Sequence, residues 1–516
     1  MSDDETIVHP EGEQKPPPFA SKKGLLATET FGGKIHVEWD PTAAVTPIGQ
    51  LPFFIQFLKV GDLFEPWVSS CPLRYDSNNA PKKVDVLGSF LLSILSGHNR
   101  YAHMASLMGD LVNTQMLGMS KVVSDDSARR ALKKMDEEKG INWLQNHLQR
   151  SYQPLLTQPW ILDSDVTVKP LYGHQEGAAV GYNPHKPGRP SHTYHTYMIA
   201  NLRLVLDVEV KPGTDTAASH SSPGLWELLD RLPLDQWPAF IRGDSDWGVD
   251  DVMTTAEHKQ LPYLFKLRKS KYVKQLIYQA HSRGGWAYII DGWEAQDDQL
   301  RLSTWKDSRR VVIVRRRLSK VSLLALSDTQ TGQQKFGFLE DPEDIRVFEY
   351  AVLVTSLEDE VLSIVRHYRD RADCENNFDE IKNHWGWGGF TTCDIKPCRF
   401  IARIIALIYN WWNIFARLAN PDKHMEAITS RPLLLSSVGR LTETGRQKTM
   451  TITSTHAEAE KIQATFERIQ TFFNSLKAIA PQLTSAQRWY RILSEAMKKY
   501  LKGVLLRPPD EGYLLR

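Results

Sequence analysis

Residues 160–170 read WILDSDVTVKP, a run in which apolar and β-branched residues surround two aspartates. This composition predicts a β-strand. The stretch 195–213, HTYMIANLRLVLDVEVKPG, has the same character and predicts two further strands joined near Asn201.

Beyond these strands the pattern begins to alternate. Short apolar strands at 238–244 (PAFIRGD) and 263–270 (YLFKLRKS) follow helical segments at 221–232 (SSPGLWELLDRL) and 249–260 (VDDVMTTAEHKQ). Strands in a row followed by strand–helix alternation predict a mixed α/β sheet covered by helices.

The flanking regions predict other structure. Residues 46–155 have a helical pattern. The segments WAYIIDGW and RRVVIVRRRL are typical of short strands and predict a β-rich insertion. A long helix is expected from about Glu358 to Asn383. The predicted divisions are 1–45 (flexible acidic, Pro-rich tail), 46–155 (helical, DNA-binding), 156–270 (first part of the sheet domain), 271–345 (insertion), 346–420 (second part) and 421–516 (C-terminal helical region).

Composition excludes several classes of protein. Of 516 residues, 41% are apolar and 24% are charged, with 63 basic and 61 acidic side chains for a net charge of +2. These values exclude a polybasic tail protein and indicate a globular chain. They leave nucleic-acid binding open, because a near-neutral total can conceal a basic face opposite an acidic one.

Several features indicate a soluble protein of the cytoplasm. The four cysteines include no C-x2-C pair, which argues against a disulfide framework or a zinc ribbon. The N-terminus lacks the apolar core of a signal peptide. The most apolar stretch, 400–419, contains Arg403, Asn410, Asn413 and Arg417, so we expect a buried helix and no membrane span.

Three acids have unusual positions. Asp165 lies inside the first predicted strand, Asp244 ends a short strand, and Glu375 lies on the long helix. Converging carboxylates at such places would bind Mg²⁺ or Mn²⁺, and two such ions activate an attacking oxygen and stabilise a leaving one. Asp163 competes with Asp165, and Asp246 competes with Asp244, for the same roles.

The long helix adds a second pattern. Tyr368, Arg371, Glu375 and Lys382 are spaced by three, four and seven residues, which places them on one helical face. A metal-binding carboxylate flanked by cations suits the approach of a polyanion. The alternative is a surface helix with ordinary Arg–Glu pairing.

These residues resemble a known signature. The pattern Y-x2-R-x3-E-x6-K, with LDSDVT and IRGDSDWG around the two aspartates, resembles bacterial insertion-sequence DDE transposases of the insertion-sequence-4 superfamily. The resemblance covers roughly residues 80 to 420. It implies an α/β fold in which a ribonuclease-H-like mixed sheet with helices is interrupted by a β-rich insertion and flanked by N- and C-terminal helical regions.

The resemblance also implies roles for individual residues. Asp165, Asp244 and Glu375 would be the catalytic residues and hold two Mg²⁺ (or Mn²⁺) ions, and the D-x-T arrangement and the strand-end position favour Asp165 and Asp244 over their competitors. Residues that would contact phosphates of the transposon end are Tyr368, Arg371 and Lys382. In some relatives a Trp of the insertion stacks on a flipped base, and the candidates are Trp286, Trp293 and Trp305.

The implied activity is DNA transposition. The protein would bind terminal inverted repeats, pair two double-stranded ends in a homodimer, cleave a strand to a 3′-hydroxyl and join it to target DNA, at the bacterial nucleoid in the cytoplasm, with no membrane partner. Two alternatives remain: a metal-dependent nuclease of the same fold that does not join, and a transposase-derived DNA-binding protein.

Basic segments elsewhere are further DNA-binding candidates. Residues 301–320 carry eight cations and one acid, including Arg315, Arg316 and Arg317, and could bind a DNA backbone or form a charge-protected edge strand. The helix after Ser124 carries Arg129 and Arg130, and it fits either a helix-turn-helix reader or a small helical bundle.

The Pro/Gly-rich stretch 181–195 carries several histidines, including His192 and His195. Without cysteines or a third ligand nearby, zinc is the weaker explanation. A DNA-contacting loop beside the first strand is favoured, with Lys186 and Arg189 as its cations.

Overall fold

The computed structural model describes residues 26–183, 186–318, 347–479 and 482–508. The helices of this part of the chain are α1 (Leu51–Val60), α2 (Phe64–Ser69), α3 (Lys83–Leu95), α4 (Leu111–Met116), α5 (Asp125–Lys134), α6 (Glu137–Tyr152), α7 (Ala218–Asp230), α8 (Asp250–His258), α9 (Lys271–Arg283), α10 (Val361–Arg369), α11 (Ala372–His384), α12 (Ile395–Ala419), α13 (Ala427–Leu434), α14 (Ala459–Ala478) and α15 (Ser485–Ala496).

The strands of the same residues form three sheets. They are β1 (Leu26–Thr30), β2 (Gly33–Val37), β3 (Val45–Thr46), β4 (Ile161–Pro170), β5 (Ser191–Ile199), β6 (Leu204–Pro212), β7 (Phe240–Gly243), β8 (Tyr263–Lys266), β9 (Ala287–Ile290), β10 (Trp293–Leu300), β11 (Arg309–Arg317), β12 (Phe348–Thr355), β13 (Val438–Thr444) and β14 (Gln447–Thr453).

The central sheet has nine strands in the order β6-β5-β4-β7-β8-β12-β11-β10-β9. Strands β4, β5 and β6 form an antiparallel meander, whereas β4, β7 and β8 are parallel neighbours. From β8 onward every pairing is antiparallel. The prediction of a mixed α/β sheet with helices is confirmed.

Helix α12 forms the core on one side of the meander. The carboxamide of Asn410 accepts a hydrogen bond from the backbone N–H of Val205 at 2.8 Å and donates one to its carbonyl at 2.8 Å. Arg403 pairs with Asp207 at 2.7 Å, with both side chains 4% exposed. The polar residues that argued against a membrane span therefore fasten α12 to β6, and the prediction of a buried helix is confirmed. No helix in the described part of the chain combines the length and apolarity needed to cross a bilayer.

The segment predicted as a β-rich insertion, 271–345, differs from that expectation. It begins with helix α9, capped by Ser270 and buried through Val273, Leu276 and Ile277, because its apolar residues recur at helical spacing. Strands β9, β10 and β11 then extend the central sheet through β12 instead of forming a separate layer. Residues 319–346 lie outside the described residues.

The two ends of the chain also differ from prediction. Within the predicted flexible tail, β1 and β2 form an exposed hairpin, while residues 1–25 lie outside the described residues. The C-terminal region is not wholly helical, because β13 and β14 form a hairpin whose inner strand pairs with β3. These strands are rich in Thr, and β3 supplies the partner from nearly 400 positions away.

The predicted long helix is broken in two. Helix α10 ends at Arg369 and α11 begins at Ala372, because the backbone N–H of Arg371 bonds to Tyr368 at 3.1 Å, three residues back. Tyr368 and Glu375 therefore lie on different helices, and the prediction of one uninterrupted helix was wrong. The expected stop at Gly386 is confirmed, with φ +99° just after α11.

The N-terminal helical region was predicted correctly in its local structure. The hydroxyl of Ser124 accepts a hydrogen bond from the backbone N–H of Ser127 and caps α5, as expected. Helix α5 buries Ala128, Ala131 and Leu132. These residues belong to the same continuous core as α3 and α12.

Acid should destabilise this fold through buried histidines. Burial lowers the pKa of His147 on α6 and of His195 on β5 to about 4, from an ordinary value of 6.5. Between these values the unfolded chain takes up protons that the folded chain does not, so stability is present above 6.5 and is lost as the pH falls toward 4.

We therefore expect His147→Gln to reduce the loss of unfolding free energy between about pH 7.5 and about pH 5, measured by urea denaturation. His36, exposed on β2, is the matched control, and His36→Gln should leave that loss unchanged. An identical pH dependence in the wild type and His147→Gln would contradict this assignment.

Candidate active site

The two aspartates of the site are placed side by side by strand register. In the parallel pair β4–β7, Asp163 lies opposite Arg242. Side chains two residues apart on a strand share a face, so Asp165 and Asp244 lie together one step further toward the carboxyl ends. Carboxyl ends of adjacent parallel strands are the usual position for a site in α/β sheets.

Asp163 has a structural role in this arrangement. Its carboxylate accepts hydrogen bonds from Nε and Nη2 of Arg242 at 2.5 and 2.7 Å, and the side chains are 1% and 2% exposed. Arg242 also donates through Nη1 to the carbonyl of His367 near the end of α10. The pair thus fixes α10 over the sheet. Because the Asp163 carboxylate is already bound to Arg242, Asp165 is favoured as the acid of the site.

Arg371 connects the third acid to the strands. Its Nη1 donates to Oε1 of Glu375 at 2.6 Å, and its Nη2 donates to Oδ1 of Asp165 at 3.1 Å. The Arg371 side chain is 7% exposed, whereas that of Glu375 is 63% exposed. The guanidinium therefore faces the carboxylates inside the fold, and Glu375 stands at the rim.

The three predicted acids line one cleft of about 270 Å³. Lys382, from the same pattern, lines it too, as does Asp246, which pairs with Arg268 at 2.6 Å. Among the further lining residues that sequence analysis did not name are Tyr182, Thr216 and Asp379. Asp379 is four residues after Glu375 on α11, so its helical spacing was a usable signal.

Burial dominates the electrostatics of the cleft. It raises the pKa of Asp165 to about 6, with Asp244 and Glu375 adding repulsion and Arg371 opposing it. Burial also raises the pKa of Asp244 and brings that of Tyr368 to about 12. The carboxylates are thus held in a setting where a nearby cation stabilises their charged form.

The donor set suits a hard divalent cation in kind, since carboxylate oxygens are the ligands that Mg²⁺ and Mn²⁺ prefer. Among the described residues, no three His, Cys, Asp or Glu side chains stand close enough together to hold a metal ion. At this site the guanidinium of Arg371 lies between the carboxylates of Asp165 and Glu375 and pairs with both of them. Glu375 is exposed, so it can turn into the cleft without displacing a buried side chain.

The basic strand β11 is less positive than its own sequence indicates. Arg315 pairs with Glu294 at 2.6 Å and Arg310 with Asp297 at 2.6 Å, both on the neighbouring β10. Arg316 lies 3.2 Å from Glu349 on β12. Partners from adjacent strands offset most of the charge, while Arg316 and Arg317 remain exposed.

The three candidate tryptophans differ in their surroundings. Trp305 is buried, with the Arg309 guanidinium 5.3 Å from its ring centroid. Trp286 is half-buried beneath Arg315 at 4.0 Å. Trp293 is half-buried beneath Arg316 and also lies 5.9 Å from Arg369, which adjoins Tyr368 on α10. Of the three, Trp293 is thus the one linked to the site helix.

The remaining candidates lie apart from the cleft. Arg129 and Arg130 are on the outer side of α5, where they lie near Asp125 and Asp126. His192 is buried and its Nε2 is 2.7 Å from the carbonyl of Glu176, and the Nε2 of buried His195 is 2.7 Å from that of Asp215. These contacts give the Nε2 atom of each ring a backbone carbonyl as its partner.

Arg371 should be important for stability as well as for the site. Arg371→Met leaves Asp165 and Glu375 facing each other without a counter-cation, and we expect a loss of about 3 kcal/mol in the free energy of unfolding, the low end for one partner of a buried pair. Urea denaturation measures this loss.

The matched control is Arg130→Met, because that side chain is 74% exposed. It should change stability by no more than about 0.5 kcal/mol. Adding Asp165→Asn to Arg371→Met should recover part of the loss, because the uncompensated charge is gone. Arg371→Met with wild-type stability would refute the bridging role.

Comparisons with known proteins bear on what this cleft does. A model of the family "Transposase DDE domain group 1" matches residues 74–474. A comparison with curated protein sequences finds no match. Among solved structures, the chain aligns with the piggyBac transposase in a synaptic complex with hairpin DNA, at 11% identity and a TM-score of 0.36, over 90% of this chain and 86% of that chain.

The family match spans all three cleft carboxylates and the helices and strands that position them. It confirms the prediction of a DDE transposase at the level of the family. Membership of the insertion-sequence-4 superfamily and its Y-R-E-K signature stay predictions. Because the matched range, 74–474, covers well over half of the 516 residues, this chain belongs to the transposase DDE domain family.

Proposed function

We propose that this protein is a DNA transposase whose catalytic residues are Asp165, Asp244 and Glu375. It would bind the terminal inverted repeats of its element, cleave a strand to a 3′-hydroxyl and join that hydroxyl to target DNA. The observation that carries the proposal is the meeting of these three carboxylates in one cleft, with Lys382 on the same wall, in a chain of this family.

We infer that β4 to β8 form a ribonuclease-H-like core. An antiparallel meander joined in parallel to two further strands supports this assignment, as does the position of one aspartate on β4 and one directly after β7. Strands β9 to β12 then correspond to the predicted insertion, although they continue the same sheet.

The chemistry follows from what the side chains can do. The carboxylates of Asp165, Asp244 and Glu375 would hold two Mg²⁺ or Mn²⁺ ions, which supply activation of the attacking oxygen and stabilisation of the leaving oxygen. In cleavage, water adds to the phosphorus and the bond to the 3′-oxygen breaks. In joining, that 3′-oxygen adds to a target phosphorus and displaces another 3′-oxygen. No protein nucleophile is required.

Cations around the cleft would position the DNA. Lys382 lines the cleft and is well placed for a phosphate next to the reacting one. Arg371 would reach a phosphate only by leaving one of its carboxylates, and Tyr368 adjoins the same site from α10. More distant contacts to DNA are proposed for Arg315, Arg316 and Arg317 on β11 and for Arg129 and Arg130 on α5.

We expect pairing of two double-stranded ends to require a homodimer. Each subunit would hold one transposon end while both engage target DNA. Two alternatives share the same cleft: a nuclease that cleaves without joining, and a DNA-binding protein that does neither. The two experiments below separate all three.

The first experiment tests the catalytic assignment. Asp165→Asn, Asp244→Asn or Glu375→Gln should lower Mg²⁺-dependent cleavage of end DNA by at least about 100-fold, because losing even a residue that only orients a metal ligand costs about 10- to 100-fold. Affinity for the uncut DNA, measured by fluorescence anisotropy, should fall little.

Asp246→Asn is the matched control, since Asp246 lines the same cleft but pairs with Arg268. It should retain most of the cleavage activity. If Asp246→Asn abolished cleavage and Asp244→Asn did not, the second ligand would have been assigned to the wrong aspartate.

The second experiment tests joining. The wild-type protein, given pre-cut ends with a free 3′-hydroxyl, supercoiled plasmid and Mg²⁺, should yield ends covalently attached to the plasmid. Ends carrying a 3′-dideoxy nucleotide should yield none, since the nucleophile is missing. Cleavage of uncut DNA without joined product would establish the nuclease, and binding without either reaction would establish the DNA-binding protein.

A further inference from the structure

Two exposed tyrosines lie on the connection between β4 and β5, and one of them reaches the cleft. Tyr172 is 68% exposed and Tyr182 is 70% exposed. Tyr182 also lines the cleft together with Asp165 and Asp244. Large aromatic rings left in water next to a functional cleft are candidates for contact with a ligand. We call Tyr172, Tyr182, Lys186 and Arg189 the rim group.

The backbone beneath the rim group is held in place by close packing. A Cβ atom at Gly181 would lie 1.9 Å from the carbonyl oxygen of Gly213, so only glycine permits this approach. The backbone N–H of Leu171 bonds to the carbonyl of Pro190 at 2.8 Å and closes the base of the connection. Buried Asn183 accepts a hydrogen bond from the backbone N–H of Lys186 at 3.0 Å.

Tyr172 holds two cations together. The Nζ atom of Lys186 is 5.0 Å, and the Cζ atom of Arg189 4.9 Å, from its ring centroid. Lys186 also donates a hydrogen bond to the Tyr172 hydroxyl. Cation–π attraction between the ring and Arg189, and the hydrogen bond from Lys186 to the hydroxyl, hold two like charges side by side at an exposed position, where a polyanion would offset their repulsion.

Tyr182 has a different position from Tyr172. Its ring is at the wall of the acidic cleft, whereas Lys186 and Arg189 gather on Tyr172. An exposed ring stacks on the face of any unpaired base, and neighbouring cations bind the adjoining phosphates. A single-stranded nucleic-acid segment offers both an unpaired base for Tyr182 and phosphates for Lys186 and Arg189.

We propose that the rim group binds the unpaired DNA strand next to the reacting phosphate. Tyr182 stacks on a base of that strand, and Tyr172 presents Lys186 and Arg189 to its phosphates. This assignment rests on the proposed function, because it requires DNA in the cleft. It adds a binding surface outside the carboxylates and the α10–α11 residues.

The stacking test uses a duplex with a short 3′ overhang that carries 2-aminopurine, whose fluorescence falls when the base stacks. The full-length wild type, in buffer without divalent metal, should quench it. Tyr182→Phe keeps the ring and should quench equally. Tyr182→Ala should lose the quenching and bind the overhang roughly 10-fold more weakly. Tyr272→Ala, which removes a 52% exposed tyrosine on α9, should behave as wild type.

The cation test uses the salt dependence of binding to the same probe. The double variant Lys186→Ala with Arg189→Ala should reduce the slope of log affinity against log salt by about 1.5, as expected for two lost phosphate contacts. Tyr172→Ala should reduce it in the same direction. Tyr172→Phe, which keeps the ring against Arg189 but loses the hydroxyl that binds Lys186, should give a smaller reduction.

The outcomes separate this inference from the proposed function. If the wild type cleaves end DNA while Tyr182→Ala quenches and binds as well as wild type, the rim-group assignment is overturned and the transposase assignment stands. If the wild type neither binds nor cleaves any DNA probe, both are overturned. Loss of quenching in Tyr182→Ala, with quenching retained in Tyr182→Phe and in Tyr272→Ala, supports the rim group.

Discussion

The buried ion pair between Asp163 and Arg242 is the interaction on which the site depends. It joins β4 to β7 in register and, through Arg242 and the carbonyl of His367, joins both strands to α10. A charge pair that is almost inaccessible to water is stable only when its other polar groups also find partners. Here α10 provides one, because the carbonyl of His367 accepts a hydrogen bond from Arg242. Two residues further toward the carboxyl ends of β4 and β7, Asp165 and Asp244 lie side by side.

Charge balance explains the rest of the cleft. Several carboxylates line one cleft, and desolvation raises the pKa of Asp165 to about 6. Arg371 supplies an internal cation between Asp165 and Glu375, and Lys382 supplies another at the wall. Elsewhere the cations of β11 meet acids of β10 and β12. The net charge of +2 therefore reflects many local ion pairs and does not give the charge of any one surface.

Elements with a strong local signal were predictable. The Ser124 cap and the stop at Gly386 depend on backbone groups within a few residues, and the buried helix 400–419 depends on its own apolar run. Asp165 and Asp244 could be chosen because an aspartate in or at the end of an apolar strand is rare, and Glu375 because it falls in the pattern Y-x2-R-x3-E-x6-K. Tyr182 and Thr216 could not be chosen, because they reach the cleft from connections whose course depends on distant contacts such as Gly181 against Gly213.

By itself the sequence determined the strand–helix alternation, the positions of Asp165, Asp244 and Glu375 along it, and the family to which the residues point. Tertiary structure decided which charges are available. Folding fixed Asp163 in an ion pair and divided the predicted helix next to Arg371, whose side chain is buried. It also paired arginines of the basic strand with acids of neighbouring strands. The physical reason is that spacing along a chain fixes only neighbours on one element, whereas ion pairing and burial depend on side chains that folding brings from other strands and helices.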